Sequence, residues 1–250
     1  MDAGTILETR DLVKEFRGFV AVNGVSLRVA RGSIHALIGP NGAGKTTVFN
    51  LLTHFLPATR GSILYKGEDI TGARPADVAR RGLVRSFQVS AVFPALTALE
   101  NVRVALQRPL GTSFHFWRSE RSLAVLDDRA VELLAAVGLE EHRDTVTGEL
   151  PYGRKRALEI ATTLALDPEL LLLDEPTQGM AHEDVGRVVA LIRRVAEGRT
   201  VLMVEHNLSV VQDLAQRVTV LARGSVLAEG SYDEVSRNPL VLEAYIGVAP

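Results

Sequence analysis

The stretch GPNGAGKT, Gly39 to Thr46, constrains this chain more than any other. It satisfies G-x-x-x-x-G-K-[ST] at every fixed position. An apolar run, SIHALIG (33–39), leads into it, and helical spacing at Val48, Leu51 and Leu52 follows. A strand, a glycine-rich loop and a helix in that order turn successive backbone N–H groups toward a phosphate. The same order aims the positive end of a helix at that phosphate. Gly39, Gly42 and Gly44 admit backbone angles closed to other residues. Lys45 supplies a point charge for phosphate oxygens, and the Thr46 hydroxyl is placed to ligate Mg²⁺. A fold containing this unit is α/β, with ligands at the carboxyl ends of parallel strands.

The remaining sequence agrees. FVAVNGVSLRVARG alternates at Val20, Val22, Val25, Leu27 and Val29, which predicts antiparallel strands turning at Asn23-Gly24. GSILYKGEDI and LVRSFQ (83–88) read as strands, and PADVARRGL as a short helix opening at Pro75. From about Val89 to Asp167 helical spacing replaces alternation, at Leu99, Val102 and Leu106, then Leu126, Ala130, Leu133, Leu134 and Val137. Between them, Gln107–Ser122 is polar and aromatic and predicts an irregular insertion. Strand and helix then alternate to the end: LLLLDE, a helix over 182–197, TVLMVEH, a helix over 208–216, RVTVLA, GSVLAEG, and a helical stretch near Pro239–Tyr245. The expected architecture is one unit. An α/β core (about 1–88 and 168–250) has a mainly parallel sheet and an N-terminal antiparallel β subdomain, and an α-helical subdomain (about 89–167) is inserted into it.

Composition removes several classes of function. There are no cysteines, so disulfide frameworks and cysteine-held metals are out. Lys and Arg total 28 against 30 for Asp and Glu, a balance that predicts no nucleic-acid footprint. No apolar run approaches the ~20 residues of a membrane span, and the acidic N-terminus does not read as a signal peptide. The expectation is a soluble chain whose membrane role, if any, comes through a partner.

LLLLDEP (170–176) completes a nucleotide site. Four leucines fit a strand buried on both faces, and its carboxyl end carries Asp174 and Glu175. Asp174 is the candidate for Mg²⁺, and Glu175 the candidate base for the attacking water. Many P-loop NTPases share that pair, kinases included. One helix upstream stands ELPYGRKRALEI (149–160). With it the chain resembles the ATP-binding subunit of ABC transporters from about Ile6 to Gly247. In that family a signature, most often Leu-Ser-Gly-Gly-Gln, opens a helix at this place. Here Leu150 and Gly153 match, while Pro151, Tyr152 and Arg154 depart. The Tyr-Gly pair with Arg156 and LEIA (158–161) is similar to the subgroup serving branched-chain amino-acid importers.

The resemblance implies a P-loop NTPase core that hydrolyses ATP with Mg²⁺. Its nucleotide contacts would come from Gly39, Asn41, Gly42, Ala43, Gly44, Lys45, Thr46 and Thr47, with Asp174, Glu175, Gln88 and His206. Gln88, also a metal contact, would join the core to the helical subdomain, and His206 would reach the γ-phosphate. Phe16 would stack on adenine, with Phe19 its neighbour and rival. Leu150, Tyr152, Gly153 and Arg154 would close the site of a second ATP-binding subunit, identical or paralogous. Taken singly, Gln88 and His206 are ordinary strand-end polar residues, Phe16 an ordinary core aromatic, and Arg154 and Lys155 a solvated basic face. Where the family commonly has Asp, Ala181 stands, and His182 reads as a helix start. The implied partners are transmembrane permeases and, indirectly, a solute-binding protein, which would place the chain on the cytoplasmic face of the cell membrane. Rival readings are an export ATPase of the lipopolysaccharide-transport type, a nucleic-acid ABC ATPase, and a P-loop kinase. The nucleic-acid type lacks its coiled coils and zinc hooks here. The kinase gives no reason for a signature helix.

Overall fold

The computed structural model describes residues 4–86, 92–107, 126–180 and 182–246. An antiparallel sheet is built from β1 (Thr5–Phe16), β2 (Phe19–Val25), β3 (Arg28–Ala30), β5 (Arg60–Tyr65) and β6 (Glu68–Asp69). The main sheet uses β4 (Ile34–Ile38), β7 (Leu83–Ser86), β8 (Leu170–Asp174), β9 (Thr200–Val204), β10 (Arg217–Ala222) and β11 (Ser225–Gly230). Its order is β11-β10-β4-β9-β8-β7, parallel except for the β10–β11 hairpin. The helices are α1 (Lys45–Leu52), α2 (Pro75–Arg80), α3 (Ala98–Gln107), α4 (Asp127–Ala136), α5 (Tyr152–Leu164), α6 (His182–Val195), α7 (Leu208–Leu214), α8 (Tyr232–Ser236) and α9 (Pro239–Ile246).

The first hairpin departs from the sequence expectation. β1 and β2 turn at Arg17-Gly18, both at positive φ, and β2 runs straight through Asn23-Gly24. Phe16 pairs with Phe19 across the turn. Gly24, at φ +68, sits where the pairing slips between Lys14–Val22 and Leu12–Val25, so it marks a bulge and not a turn. The short α8 was also not foreseen. Its signal is SYDE (231–234), in which Ser231 and Glu234 form a reciprocal capping box.

The central strands divide two cores with period two. Leu171 and Leu173 of β8 and Val201 and Met203 of β9 face the core shared with α3 to α7. Leu170, Leu172, Leu202 and Val204 face the core under α1 and the antiparallel sheet. All ten residues of β8 and β9 are buried, as strands covered on both faces must be. Parallel strands buried this way exit together at one edge, and the phosphate loop and the acidic strand end lie there.

His35, in β4, is a polar exception inside this core. Its Nε2 lies 2.8 Å from Thr219 Oγ1, which donates its own proton to Glu229 Oε2 at 3.0 Å. Thr219 therefore accepts from Nε2–H, and Nδ1 keeps a lone pair with no partner among the described residues. Burial pushes the imidazole down to about 4, against the attraction of Glu229. The folded state disfavours the protonated ring, so its stabilising contribution is complete above the ordinary value of 6.5 and declines as pH falls toward about 4. Unfolding by denaturant at pH 5 is expected to show roughly 2 kcal/mol less stability from this group than at pH 7.5. A His35→Gln variant should lack that part of the pH slope.

Candidate nucleotide-binding and hydrolysis site

β4 delivers the chain to Gly39, which has φ +151 and passes so close to β10 that a Cβ would lie 2.1 Å from Leu221 O. At Gly44, φ is +100, and a Cβ would meet Ala21 O at 2.7 Å. No other residue fits either place. Gly44 caps α1 without a side-chain acceptor, so the first N–H groups of the helix remain for a ligand. Lys45 is buried and folds back over the loop, donating from Nζ to Gly39 O at 2.7 Å and Pro40 O at 3.0 Å. Burial holds its ammonium below the ordinary lysine value, while the Glu175 and Asp174 carboxylates pull the other way. Ala43 is buried and Thr47 half-buried, and Asn41, Gly42 and Thr46 line the outer side of the loop.

The acidic strand end is held by Arg85 and His206. Asp174, 1% exposed, gives Oδ2 to the Arg85 guanidinium of β7. Its Oδ1 is buried with no partner among the described residues. An anionic oxygen left this way beside the phosphate loop suits a hard divalent cation, so the donor set fits Mg²⁺. Glu175 takes φ +46, a conformation costing about 1 kcal/mol for a residue with a side chain. Its Oε1 meets His206 Nε2 at 2.9 Å. A cavity of about 580 Å³ opens there, lined by Asn41, Glu175, Thr177, Gln178, Glu205 and His206 among others. The Glu175 carboxylate thus faces a cavity that also reaches Asn41 of the phosphate loop.

Glu205 escaped the sequence reading. Oε1 accepts from Thr177 N at 3.0 Å and Oγ1 at 2.5 Å, and Oε2 accepts from His206 N at 2.8 Å and Asn207 N at 3.1 Å. One buried carboxylate therefore ties the loop after β8 to the loop after β9 and fixes where Glu175 and His206 stand. Its signal was a carboxylate at the carboxyl end of a parallel strand in TVLMVEH, overshadowed by the histidine beside it.

The signature lies elsewhere on the chain. Pro151 caps α5, so Tyr152 and Gly153 occupy its first turn. The atoms nearest a Cβ at Gly153 belong to Asp184 of α6. The adjacent cavity of about 540 Å³ is bounded by α5 with Pro151 before it, by α6 and by the residues just after α4, with no phosphate-loop residue. Leu150 is buried and Arg154 exposed. Tyr152 is 56% exposed but donates from its hydroxyl to Gln178 O at 3.1 Å, touching the loop that follows β8. Arg156 does not join a solvated basic face. It is buried, pairs with Glu159 at 2.7 Å, and donates from Nη2 to Asp174 O at 2.9 Å, so α5 is fastened to the end of β8. Phe16 is 40% and Phe19 68% exposed, so neither is a core aromatic, and both are open to a flat ligand. Gln88 and Ala181 lie outside the described residues.

This geometry has close relatives. The model of the ABC transporter family matches residues 22–178. The chain belongs to that family. A second model, described as branched-chain amino acid ATP-binding cassette transporter, matches residues 225–250. The chain is similar to the high-affinity branched-chain amino acid transport ATP-binding protein BraF of Pseudomonas aeruginosa, 40% identical with 98% of each chain covered. It is 37% identical to LivG of Escherichia coli, again over 98% of both. Among solved structures, the ADP conformation of the ATP-binding cassette MJ1267 superimposes with a TM-score of 0.85 at 31% identity, covering 97% of this chain and 99% of that one. As an ABC ATP-binding protein, the chain binds nucleotide and hydrolyses ATP. The nucleic-acid and kinase readings fall away.

Replacing Glu205 with Gln puts an amide N–H₂ where backbone donors point. Thermal or urea unfolding of Glu205→Gln is expected to show a loss of about 2 kcal/mol or more. The same variant should lower kcat for ATP more than it raises KM, because it displaces the reacting groups and leaves the phosphate loop intact.

Proposed function

We propose that this chain is the ATP-driven motor of an importer for branched-chain or related amino acids, acting as a nucleotide-bridged dimer beneath separate membrane permeases. The observation that carries the reading is the separation of two half-sites on one chain. The phosphate loop, Asp174, Glu175 and His206 converge on one cavity, while the first turn of α5 faces a different one. A helix terminus suited to an anion, but turned from its own phosphate loop, is complete only against a second chain.

In this reading Phe16 stacks on adenine and the loop 39–47 wraps the phosphates. Lys45 turns its ammonium from Gly39 O and Pro40 O to the β/γ-phosphate oxygens. Thr46, Asp174 and Gln88 would hold Mg²⁺, which supplies positive charge for the phosphate oxygens. Glu175 accepts the proton of the attacking water, and His206 holds Glu175 in place and faces the γ-phosphate. The attack is in line and leaves no covalent intermediate on the protein, so rate comes from positioning and charge. Leu150, Tyr152, Gly153 and Arg154 of the second chain close over the same phosphate through backbone N–H groups. Tyr152 and Arg156 tie that closure to Gln178 and Asp174 of their own chain.

The import assignment draws its support from the C-terminal match at residues 225–250 and from the printed names of full-length relatives, which favour it over lipopolysaccharide export. No helix among the described residues is long and apolar enough to cross a membrane, so permeation belongs to partner chains. A solute-binding protein would deliver the amino acid to them.

Lys45→Ala should cut phosphate release from ATP at least about 100-fold, as loss of a charge that stabilises the transition state does. Undiminished release would refute the active-site reading. Glu175→Gln, which keeps the shape and loses the base, should sediment and scatter as a dimer in Mg-ATP and as a monomer in ADP. For cargo, uptake of labelled leucine by the assembled transporter tests the import reading. Leucine retained at background while ATPase activity persists would contradict it.

A further inference from the structure

The middle of a buried parallel strand is costly ground for a cation, yet Arg85 occupies it in β7, beside Leu172 of β8. Its side chain is 9% exposed. One arm, Nη2, grips Asp174 Oδ2, and the other, Nη1, donates to Asn50 Oδ1 at 2.6 Å. The guanidinium lies over the ring of Phe49, 5.7 Å from its centroid. Phe49 and Asn50 belong to α1, the helix that the phosphate loop opens. Arg85 therefore bridges the helix behind the phosphates to the strand carrying the acid. The usual strong pairing of a guanidinium with a carboxylate is bidentate and takes both oxygens. Here the fork is split, and Asp174 Oδ1 stays buried with no partner among the described residues.

We propose that Arg85 is the positioning residue of the metal site: by holding Asp174 through Oδ2 alone, it reserves Oδ1 for the divalent cation. This rests on Asp174 being a metal contact. The physical reason for such a clamp is competition. Asp174 has a second buried cation within electrostatic reach, Lys45, which must stay available to phosphate. Without a fixed partner, the carboxylate would turn to Lys45 and withdraw both groups from the nucleotide. Arg85 satisfies half of the carboxylate, and Asn50 holds the other arm, which keeps Nη1 and Nη2 from taking both oxygens together. Lysine at this position keeps the charge but cannot span Asp174 and Asn50 together.

The test separates metal from nucleotide. Free Mn²⁺ is followed by electron paramagnetic resonance while it is titrated into protein with ADP, and ADP affinity is measured separately in EDTA. For Arg85→Lys the Mn²⁺ midpoint should rise about tenfold, in the range seen when groups that orient a metal ligand are removed. ADP affinity in EDTA should change less than about twofold. Asn50→Ala, which frees one arm only, should raise the midpoint by a smaller factor. It decides the matter if Arg85→Lys does not fold. An unmoved Mn²⁺ midpoint in the folded variant overturns the proposal. So does an equal loss of affinity with and without metal, which is what a merely structural ion pair gives. Asp174→Asn is the control. If it too leaves the midpoint unmoved, the metal assignment of Asp174 fails. If it raises the midpoint while Arg85→Lys does not, only the role of Arg85 fails.

Discussion

The site depends on how closely the phosphate loop is pressed against the end of β10 and against β2. A Cβ at Gly39 would stand 2.1 Å from Leu221 O, and one at Gly44 would stand 2.7 Å from Ala21 O. Those contacts leave no room for a side chain at either glycine, and Lys45 follows at the start of α1. Glycine there is a packing requirement as much as a conformational one. From that fixed loop, the exits of β8 and β9 need only be tied to each other. Glu205 does this with four accepted hydrogen bonds.

The second organising feature is buried charge. Lys45, Arg156, Glu159, Asp174, Glu175 and Glu205 are all buried around one strand end, with Arg85 nearly so. Removing so many charges from water is unfavourable unless each is paired, and the pairings make the network informative. Arg85 joins α1 to Asp174 Oδ2, while Arg156 joins α5 to Asp174 O. The phosphate side and the signature side of the molecule are thus wired to the same residue. In the proposed dimer, a displacement of α5 by a second chain would have a direct mechanical route to Asp174.

Much of this was legible beforehand, for identifiable reasons. The loop 39–46 and the acids 174 and 175 are contiguous, and their chemistry restricts them to few residue types. The continuous apolar run in β8 and the helical spacing in α3 and α4 placed much of the rest of the core. What escaped was the pairing of distant residues. Arg85 read as one more position in LVRSFQ, because nothing local reveals that it reaches Asp174, and Glu205 was hidden by its neighbour His206. Arg156 served only as a mark of the subgroup resemblance, yet in a helix it falls on the face opposite Arg154 and is buried. The first hairpin misled for a different reason. Asn-Gly is a strong turn signal, but Arg17-Gly18 made the tighter turn and Gly24 was absorbed as a bulge.

In the proposed dimer two chains share each nucleotide, one giving its phosphate loop and the other the start of α5. The absence of cysteines makes this directly measurable. Asn41→Cys and Arg154→Cys place single thiols on exposed positions of the two half-sites. Mixed in equal amounts with ATP and exposed to a short bifunctional crosslinker, the two variants are expected to give a covalent heterodimer that ADP does not support. A doubly substituted chain that crosslinks within itself, or a mixture that stays monomeric at saturating ATP, would contradict the shared site.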